Sequence, residues 1–221
     1  MPGVQDSLFA NGGLAVQHDA VVHRTWLDSG TWVDHTVGFL TGQLDLYDRL
    51  AAMDIWHRGW RPMYGAMVPE PRLSAGLEVT DGGLPDVIAE LHGVIAQRYG
   101  TTSRQTWLNW YRDGRDAVAW HSDRIGRDQL DPPVAIVSLG STRRFLMRPK
   151  GGGPSTTFTP AGGDLLVMGG ASQHRFEHCV SRARDGGPRI SVTFRPRSDE
   201  TAGRTNAPRD AWAPGRVRRS T

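Results

Sequence analysis

Two histidines and one aspartate in the second half of the chain are of residue types that bind metal ions. His121 and Asp123 form a His-x-Asp pair, and His178 follows a β-prone run and the turn at Gly169-Gly170. Two imidazoles and one carboxylate on one face of a non-haem Fe(II) ion leave positions open for a chelating cosubstrate and O2. A chain with eight histidines gives His-x-Asp pairs by chance. The pair therefore predicts such a site only in combination with other residues.

Two arginines supply cations at a spacing that suits one strand face. Arg189 and Arg195 lie in a run of alternating polar and apolar residues, so both side chains point to the same side of an extended strand. Fe(II) oxygenases that use 2-oxoglutarate must hold a dianion, and guanidinium groups bind carboxylates through two parallel hydrogen bonds. Asn109 and Tyr111 share one face of an earlier run by the same alternation. These four residues are candidates for binding the cosubstrate.

The elements that must position these residues divide into a helical first part and a strand-rich second part. Two stretches have apolar residues at helical spacing. They are Val37, Leu40, Leu44, Tyr47 and Leu50, and, after Pro85, Val87, Leu91, Val94 and Ile95. From Arg104 onward, short β-prone runs alternate with Gly and Pro clusters. Helices followed by closely spaced strands predict an α+β domain, in which helices brace a β-sandwich or jelly roll.

Length and composition agree with a turn-rich β protein and exclude several other classes. The chain has 221 residues, of which 27 are Gly and 14 are Pro, and this content excludes a coiled coil. No apolar run approaches the roughly 18 residues that a membrane span needs, and the N-terminus lacks the order of a signal peptide. We therefore expect a cytoplasmic protein that does not contact a membrane. Cys179 is the only cysteine, so no intrachain disulfide can form.

The folded domain is expected to lie between two loose ends. Residues 1–23 are Gly-rich and weakly patterned, residues 24–197 carry the periodic elements, and residues 198–221 lack apolar periodicity. The formal net charge is +3, and the excess of arginine over acidic residues lies in the C-terminal tail. Such a tail is either a solvated disordered end or a segment that binds nucleic acid phosphates.

The order and spacing of a set of motifs resemble the AlkB-like family of Fe(II)/2-oxoglutarate dioxygenases over about residues 30–197. The motifs are Asn109-x-Tyr111-x-Asp113-Gly114, His121-x-Asp123, Ser138-Leu139-Gly140, Arg143-x-Phe145, the run at 163–168, His178 and Arg189-x5-Arg195. The resemblance implies a double-stranded β-helix, with a substrate lid around residues 60–77. It implies the iron ligands His121, Asp123 and His178, and the 2-oxoglutarate-binding residues Asn109, Tyr111, Arg189 and Arg195.

The same resemblance implies a reaction and a substrate class. AlkB-like enzymes use Fe(II), 2-oxoglutarate and O2 to oxidise alkyl groups on damaged nucleobases of DNA or RNA, releasing formaldehyde, succinate and CO2. The expected partner is alkylated nucleic acid, single-stranded or with its base flipped out of the stack, and the expected state is a monomer. Two alternatives stay open: the same chemistry on a protein or small molecule, and a nucleic acid binding module without catalysis.

The sequence departs from the family pattern at positions that contact substrate. Ile125 stands where many relatives have an acidic residue two positions after the His-x-Asp motif. Gly76-Leu77 stands where relatives often have an aromatic residue after the Pro-Arg pair. Because flipped bases stack on aromatic or Arg planes, Trp60 or Tyr64 would have to serve here.

Further substrate candidates and several aromatic residues complete the set of expectations. The basic candidates for contacts with phosphates or substrate are Arg72, Arg143 and Arg148. The alternative for Arg143 and Arg148 is a solvated hairpin. Trp107, Trp110 and Trp120 are expected to pack between the barrel and the helices, because aromatic residues at strand spacing usually build the core.

Overall fold

The computed structural model describes residues 13–63, 65–78, 85–101, 105–123 and 132–195. In chain order, its elements are β1 (Ala15–Val16), β2 (Val22–Asp28), β3 (Thr31–Thr36), β4 (Leu40–Thr41), α1 (Gln43–Ala51), β5 (His57–Met63), β6 (Ala66–Glu78), α2 (Asp86–Tyr99), β7 (Gln105–Tyr111), β8 (Val118–His121), β9 (Val134–Gly140), β10 (Phe145–Pro149), β11 (Thr156–Phe158), β12 (Leu165–Gly170), α3 (Ser172–Arg175), β13 (Phe176–Val180) and β14 (Arg189–Phe194). Strands predominate, as the Gly and Pro content predicts.

Two antiparallel sheets form the frame of the described structure. The larger sheet has the strand order β2-β3-β12-β9-β14-β7-β6-β5, and the smaller sheet has the order β11-β10-β13-β8. Strands that are distant in sequence are neighbours in both sheets, which is typical of a jelly roll. The predicted fold class is therefore confirmed at the level of its sheets.

Alternation along the strands divides the apolar residues between two cores. In β9, Val137 packs with the cluster that contains Leu46 of α1 and Leu91 of α2, whereas Ile136 packs with Phe145 of β10 in a second cluster. Successive strand residues point to opposite faces, so one face of the larger sheet carries the helices. The other face packs against the smaller sheet, and the space between the two sheets is where a buried site can form.

The order of elements differs from the expectation that helices precede strands. Strands β2 to β6 come before α2, and Val37 and Leu40 lie outside α1, with Val37 exposed and Leu40 buried in β4. Gly38 and Gly42 have φ values of 63° and 61°, a conformation that favours glycine and interrupts a helix. The apolar residues of this stretch therefore coincide with helical spacing without forming one helix.

Part of the segment that was expected to be loose belongs to the folded structure. Strand β1 pairs with β4, and β2 begins at Val22 and pairs with β3, so the boundary at residue 24 is too late. Residues 1–12 and the basic tail at 198–221 lie outside the described residues. No helix within the described ranges is long and apolar enough to cross a membrane.

Candidate metal centre and cosubstrate site

Strand pairing brings the two predicted histidine ligands together between the sheets. His121 ends β8, and His178 in β13 is its direct partner across the antiparallel pair. Direct partners project to the same face, and the ring centroids of the two imidazoles are 4.3 Å apart. Phe145 stacks on His178 with 5.2 Å between ring centroids. The sheet therefore fixes both the position and the orientation of these rings.

Asp123 lies just past the end of β8 and completes the triad. The candidate ligand atoms of His121, Asp123 and His178 all lie within 4.8 Å of one another, and Asp123 Oδ2 is 3.7 Å from His178 Nε2. The backbone N–H of Asp123 donates a hydrogen bond of 2.8 Å to Oε1 of Gln173 in α3. A buried side chain thus holds the loop that carries the carboxylate.

The protonation states of the triad suit metal binding. His121 Nδ1 lies 2.9 Å from the carbonyl oxygen of Ala119, which can only accept, so Nδ1 carries the proton and Nε2 is free to bind a metal. Burial lowers the pKa of His178 to about 4 despite the neighbouring Asp123, which keeps this imidazole neutral. Burial raises the pKa of Asp123, but electrostatic interactions with His178, Arg195 and His121, together with the hydrogen bond from Arg195, outweigh burial and hold it below its usual value. Two imidazoles and one carboxylate fit a non-haem Fe(II) ion.

Arg189 is a buried cation whose donors fit a carboxylate ligand. Its side chain is 1% exposed, and Nη2 donates to Ser138 Oγ at 2.9 Å. Nε and Nη1 have no hydrogen-bond partner, and no carboxylate among the described residues pairs with this guanidinium. A buried charge with unused donors is unfavourable unless an anion binds it. One carboxylate of 2-oxoglutarate fits these two donors.

Arg195 contacts the metal triad itself. Its Nη1 donates to Asp123 Oδ1 at 2.5 Å, so the guanidinium orients the carboxylate that is expected to bind the metal. This hydrogen bond of Arg195 is thus to a candidate metal ligand. Its predicted role in binding 2-oxoglutarate stays a prediction.

Asn109 and Tyr111 lie on β7 opposite Ser191 and Arg189 of β14, respectively. Asn109 Oδ1 accepts hydrogen bonds from Arg72 Nε at 2.8 Å and from Ser74 Oγ at 3.2 Å. The amide nitrogen of Asn109 therefore remains as a donor on the same strand face. Tyr111 is buried, and burial raises the pKa of its phenol, so the hydroxyl keeps its proton and can donate.

A single cavity joins the metal triad to the cosubstrate residues. Its volume is about 450 Å³. The predicted residues in its wall are Arg72, Asn109, Tyr111, His121, Asp123, His178, Arg189 and Arg195. The two sheets therefore bring together, in one space, both sets of residues for which the sequence predicts different tasks.

Two of the basic substrate candidates do not reach this cavity. Arg143 is 2% exposed, and its guanidinium donates to the carbonyl oxygens of Asp113, Asp116 and Ser181. These bonds use Arg143 to fix loops, so the prediction that it contacts substrate is wrong. Arg148 donates to Glu177 Oε1 at 2.6 Å and lies over the Trp120 ring, on the outer face of the smaller sheet.

Of the other substrate candidates, some lie on the hairpin formed by β5 and β6, and some lie outside the described residues. Trp60 lies on β5 and is 62% exposed, whereas Arg72 on β6 lines the cavity. Tyr64 and Ile125 lie outside the described residues. Leu77 packs in the helix-side core, so its departure from the family pattern does not change the cavity.

Sequence reasoning missed several residues that the structure places at or beside the site. Glu70 and Trp107 line the cavity, and Gln173 supports Asp123. Trp107 shares its strand face with Asn109 and Tyr111, and this alternation is a signal that was present in the sequence. The expectation that Trp107 packs between barrel and helices is therefore wrong, whereas Trp110 does pack against the helix-side core and donates to Tyr47 Oη at 3.1 Å.

Sequence comparisons agree with this geometry. The family model of the 2OG-Fe(II) oxygenase superfamily matches residues 76–195. The chain is 32% identical over 149 residues to the alpha-ketoglutarate-dependent dioxygenase alkB homolog 3 of Mus musculus, covering 58% of this chain and 52% of the relative. It is 32% identical over 181 residues to the DNA oxidative demethylase ALKBH2 of Bos taurus, covering 74% of this chain and 61% of the relative. The chain spans about half the length of the alkB homolog 3 relative.

Solved structures show the same fold. A structure titled OsALKBH1 superposes with a TM-score of 0.58 at 17% identity, covering 79% of this chain and 100% of that chain. A 2OG-Fe(II) oxygenase family oxidoreductase from Burkholderia pseudomallei gives a TM-score of 0.53 at 20% identity, covering 76% of this chain and 84% of that chain. These likenesses support the jelly-roll architecture.

Proposed function

Because the chain belongs to the 2OG-Fe(II) oxygenase superfamily, we propose that it oxidatively dealkylates N-alkylated nucleobases in DNA or RNA. The reaction consumes O2 and 2-oxoglutarate and releases succinate, CO2 and formaldehyde. The observation that carries this proposal is the joint placement of the triad and the unpaired donors of Arg189 in one cavity. The nucleic acid substrate is supported by the relatives, among them an enzyme named DNA oxidative demethylase ALKBH2.

The side chains of the cavity have separate tasks in this reaction. His121, Asp123 and His178 hold the iron, which when bound supplies the oxidation of the alkyl carbon. Arg189 binds one carboxylate of 2-oxoglutarate through Nε and Nη1, and the amide of Asn109 and the hydroxyl of Tyr111 supply further donors on the same wall. Arg195 keeps the Asp123 carboxylate ionised and oriented.

The size of the cavity supports a substrate that presents a single base. A space of about 450 Å³ between two sheets has room for a base and the cosubstrate but not for a stacked duplex, which supports a target base that is unstacked, either flipped or in a single strand. The hairpin β5–β6 borders the cavity through Glu70, Arg72 and Ser74. We propose that it is the expected substrate lid and contacts the substrate.

The test is the release of succinate and formaldehyde from a panel of methylated single- and double-stranded DNA and RNA, with Fe(II), ascorbate and 2-oxoglutarate. We expect the wild-type protein to turn over at least one alkylated strand and His178→Ala to be inactive. His174→Ala is the matched control, because this exposed histidine of α3 lies outside the cavity wall.

Three results would contradict the proposal. Full turnover by His178→Ala would show that His178 is not needed to bind the metal, and the proposed metal site would be wrong. Succinate formation that is stimulated only by a peptide or small molecule would favour the alternative substrates. Salt-dependent binding of nucleic acid without any turnover would favour a non-catalytic binding module.

A further inference from the structure

Trp107 is an aromatic residue inside the wall of the reaction cavity. It lies on β7 and shares a strand face with Asn109 and Tyr111, and it lines the same cavity as the metal triad. Its side chain is 37% exposed although β7 has strands on both sides. The indole therefore faces open space in the cavity.

The neighbouring strand leaves room for this ring. Gly76 of β6 is the direct partner of Trp107, and a Cβ atom at Gly76 would lie 3.5 Å and 3.7 Å from two carbons of the indole. The ring thus lies over the backbone of Gly76. A large side chain at this position would compete with the indole for the same space, so the glycine and the tryptophan form a matched pair.

Arg195 connects the indole to the metal triad. Its guanidinium carbon lies 5.0 Å from the centroid of the Trp107 ring, and its Nη1 bonds to Asp123. A cation at this distance from an indole is attracted to the ring. The contact places the indole beside the guanidinium that holds the carboxylate expected to bind iron.

We propose that Trp107 is the aromatic surface against which the substrate base stacks and is aimed at the metal. This inference rests on the proposed function. Every nucleobase has a π face that stacks on an aromatic side chain, and covering an exposed indole with such a ring is favourable. Trp60 is more exposed, but it does not line the cavity. Trp107 thus takes the stacking task for which the sequence offered Trp60 or Tyr64.

The test measures the affinity of Trp107→Leu and Trp107→Phe for a methylated single-stranded oligonucleotide. Binding is measured with Mn(II) in place of Fe(II) and with 2-oxoglutarate present, so the readout does not depend on turnover. Loss of one base–aromatic stack predicts an affinity for Trp107→Leu that is roughly 5- to 150-fold weaker, with part of it retained in Trp107→Phe. Trp26→Leu is the matched control, because Trp26 is 59% exposed on β2, at the opposite edge of the larger sheet.

Parallel measurements separate stacking from other roles of the ring. The affinity for 2-oxoglutarate and the melting temperature should stay at wild-type values in Trp107→Leu. Unchanged affinity for the oligonucleotide would overturn the inference while leaving the proposed function in place. A loss of 2-oxoglutarate affinity alone would also overturn it, since the ring would then act only through Arg195. Wild-type protein that neither binds nor oxidises any alkylated strand would refute the proposed function and this inference together.

Discussion

Arg189 and Arg143 are both buried arginines, and their different partners predict opposite effects of the same substitution. The Arg189 guanidinium has two unused donors, so Arg189→Met should raise the 2-oxoglutarate requirement roughly 30-fold or more. It should not lower the melting temperature of the ligand-free protein, because it removes a desolvated charge that lacks a counter-ion. Titration of 2-oxoglutarate and thermal unfolding check both parts.

Arg143→Met is the matched comparison. It leaves the three carbonyl oxygens that Arg143 binds without their donor, which should lower the melting temperature by about 5 °C or more. The affinity for 2-oxoglutarate should change little. If Arg189→Met destabilised the protein as much as Arg143→Met, Arg189 would be a structural residue.

Gln173 acts on the metal through Asp123, and its removal should weaken metal binding. Gln173→Leu keeps a similar side-chain volume but removes the acceptor of the Asp123 N–H, so we expect metal affinity to fall roughly 10- to 100-fold. Calorimetric titration with Mn(II) measures this. Lys150→Ala is the control, because Lys150 Nζ donates to the backbone carbonyl oxygen of Gln173 and leaves its side-chain amide untouched. Equal Mn(II) affinities in all three proteins would contradict the assigned role.

The metal and cosubstrate candidates were found because the order and spacing of their motifs resemble a known family, and the structure places them around one cavity. Arg189 and Arg195, like Asn109 and Tyr111, indicate a shared face through their spacing alone. Gln173 offered no signal, because it lies 50 residues from Asp123 and the two meet only in the folded structure, where α3 packs against β12 and β13. The true role of Arg143 was hidden for the same reason: its carbonyl partners come from loops on both sides of it in sequence.

At the scale of elements, Asp164 ties the start of β12 to two turns. Its carboxylate accepts hydrogen bonds from His35 Nε2, from the Gly38 N–H and from the Ala161 N–H, each at 2.9 Å. Burial raises the pKa of Asp164, but these hydrogen bonds outweigh burial and hold it below its usual value. A depressed pKa contributes stability above the unfolded-state pKa, and this contribution is lost as the pH falls through the folded-state pKa.

Asp164→Asn should therefore lower the melting temperature at neutral pH and also flatten its acid dependence. Thermal unfolding followed between about pH 7 and pH 3 gives both quantities. We expect the wild-type and Asp164→Asn curves to converge at the acid end. Curves that stay parallel over this range would mean that the carboxylate charge does not stabilise the turn connections.

The elements around the site were only partly predictable. Helix α2 was recognised because its apolar period continues without interruption from Val87 to Ile95. Strands β5 and β6 were not predicted, because Pro62, Pro69 and Pro71 break the alternating pattern. Pairing with β7 stabilises β6. Such pairing between distant residues determines the strand more than local propensity does.

At the scale of the whole molecule, one of the two interpretations of the basic tail is that it adds affinity for nucleic acid by binding phosphates. Deleting residues 198–221 should weaken binding to methylated and unmethylated single strands almost equally, since groups that bind phosphates do not read the base. The salt dependence of log K should flatten by about 0.7 for each phosphate that the tail neutralises in the full-length protein. Deleting residues 1–12, which contain no Lys or Arg, is the matched control. An unchanged salt slope after tail deletion would show that the tail is only a solvated end.

The position of β8 at the edge of the smaller sheet has a consequence for the local dynamics of the protein. Within the described ranges, this strand of four residues pairs with β13 alone, and the ladder is irregular between His178 and Val180. A metal ion held by His121 and His178 would link the two strands where the backbone ladder is weakest. Amide hydrogen exchange reports such local opening, so Mn(II) should slow exchange at Val118–His121 far more than in the interior strand β9. The resistance of this sheet edge to local opening would then depend on the concentration of available metal.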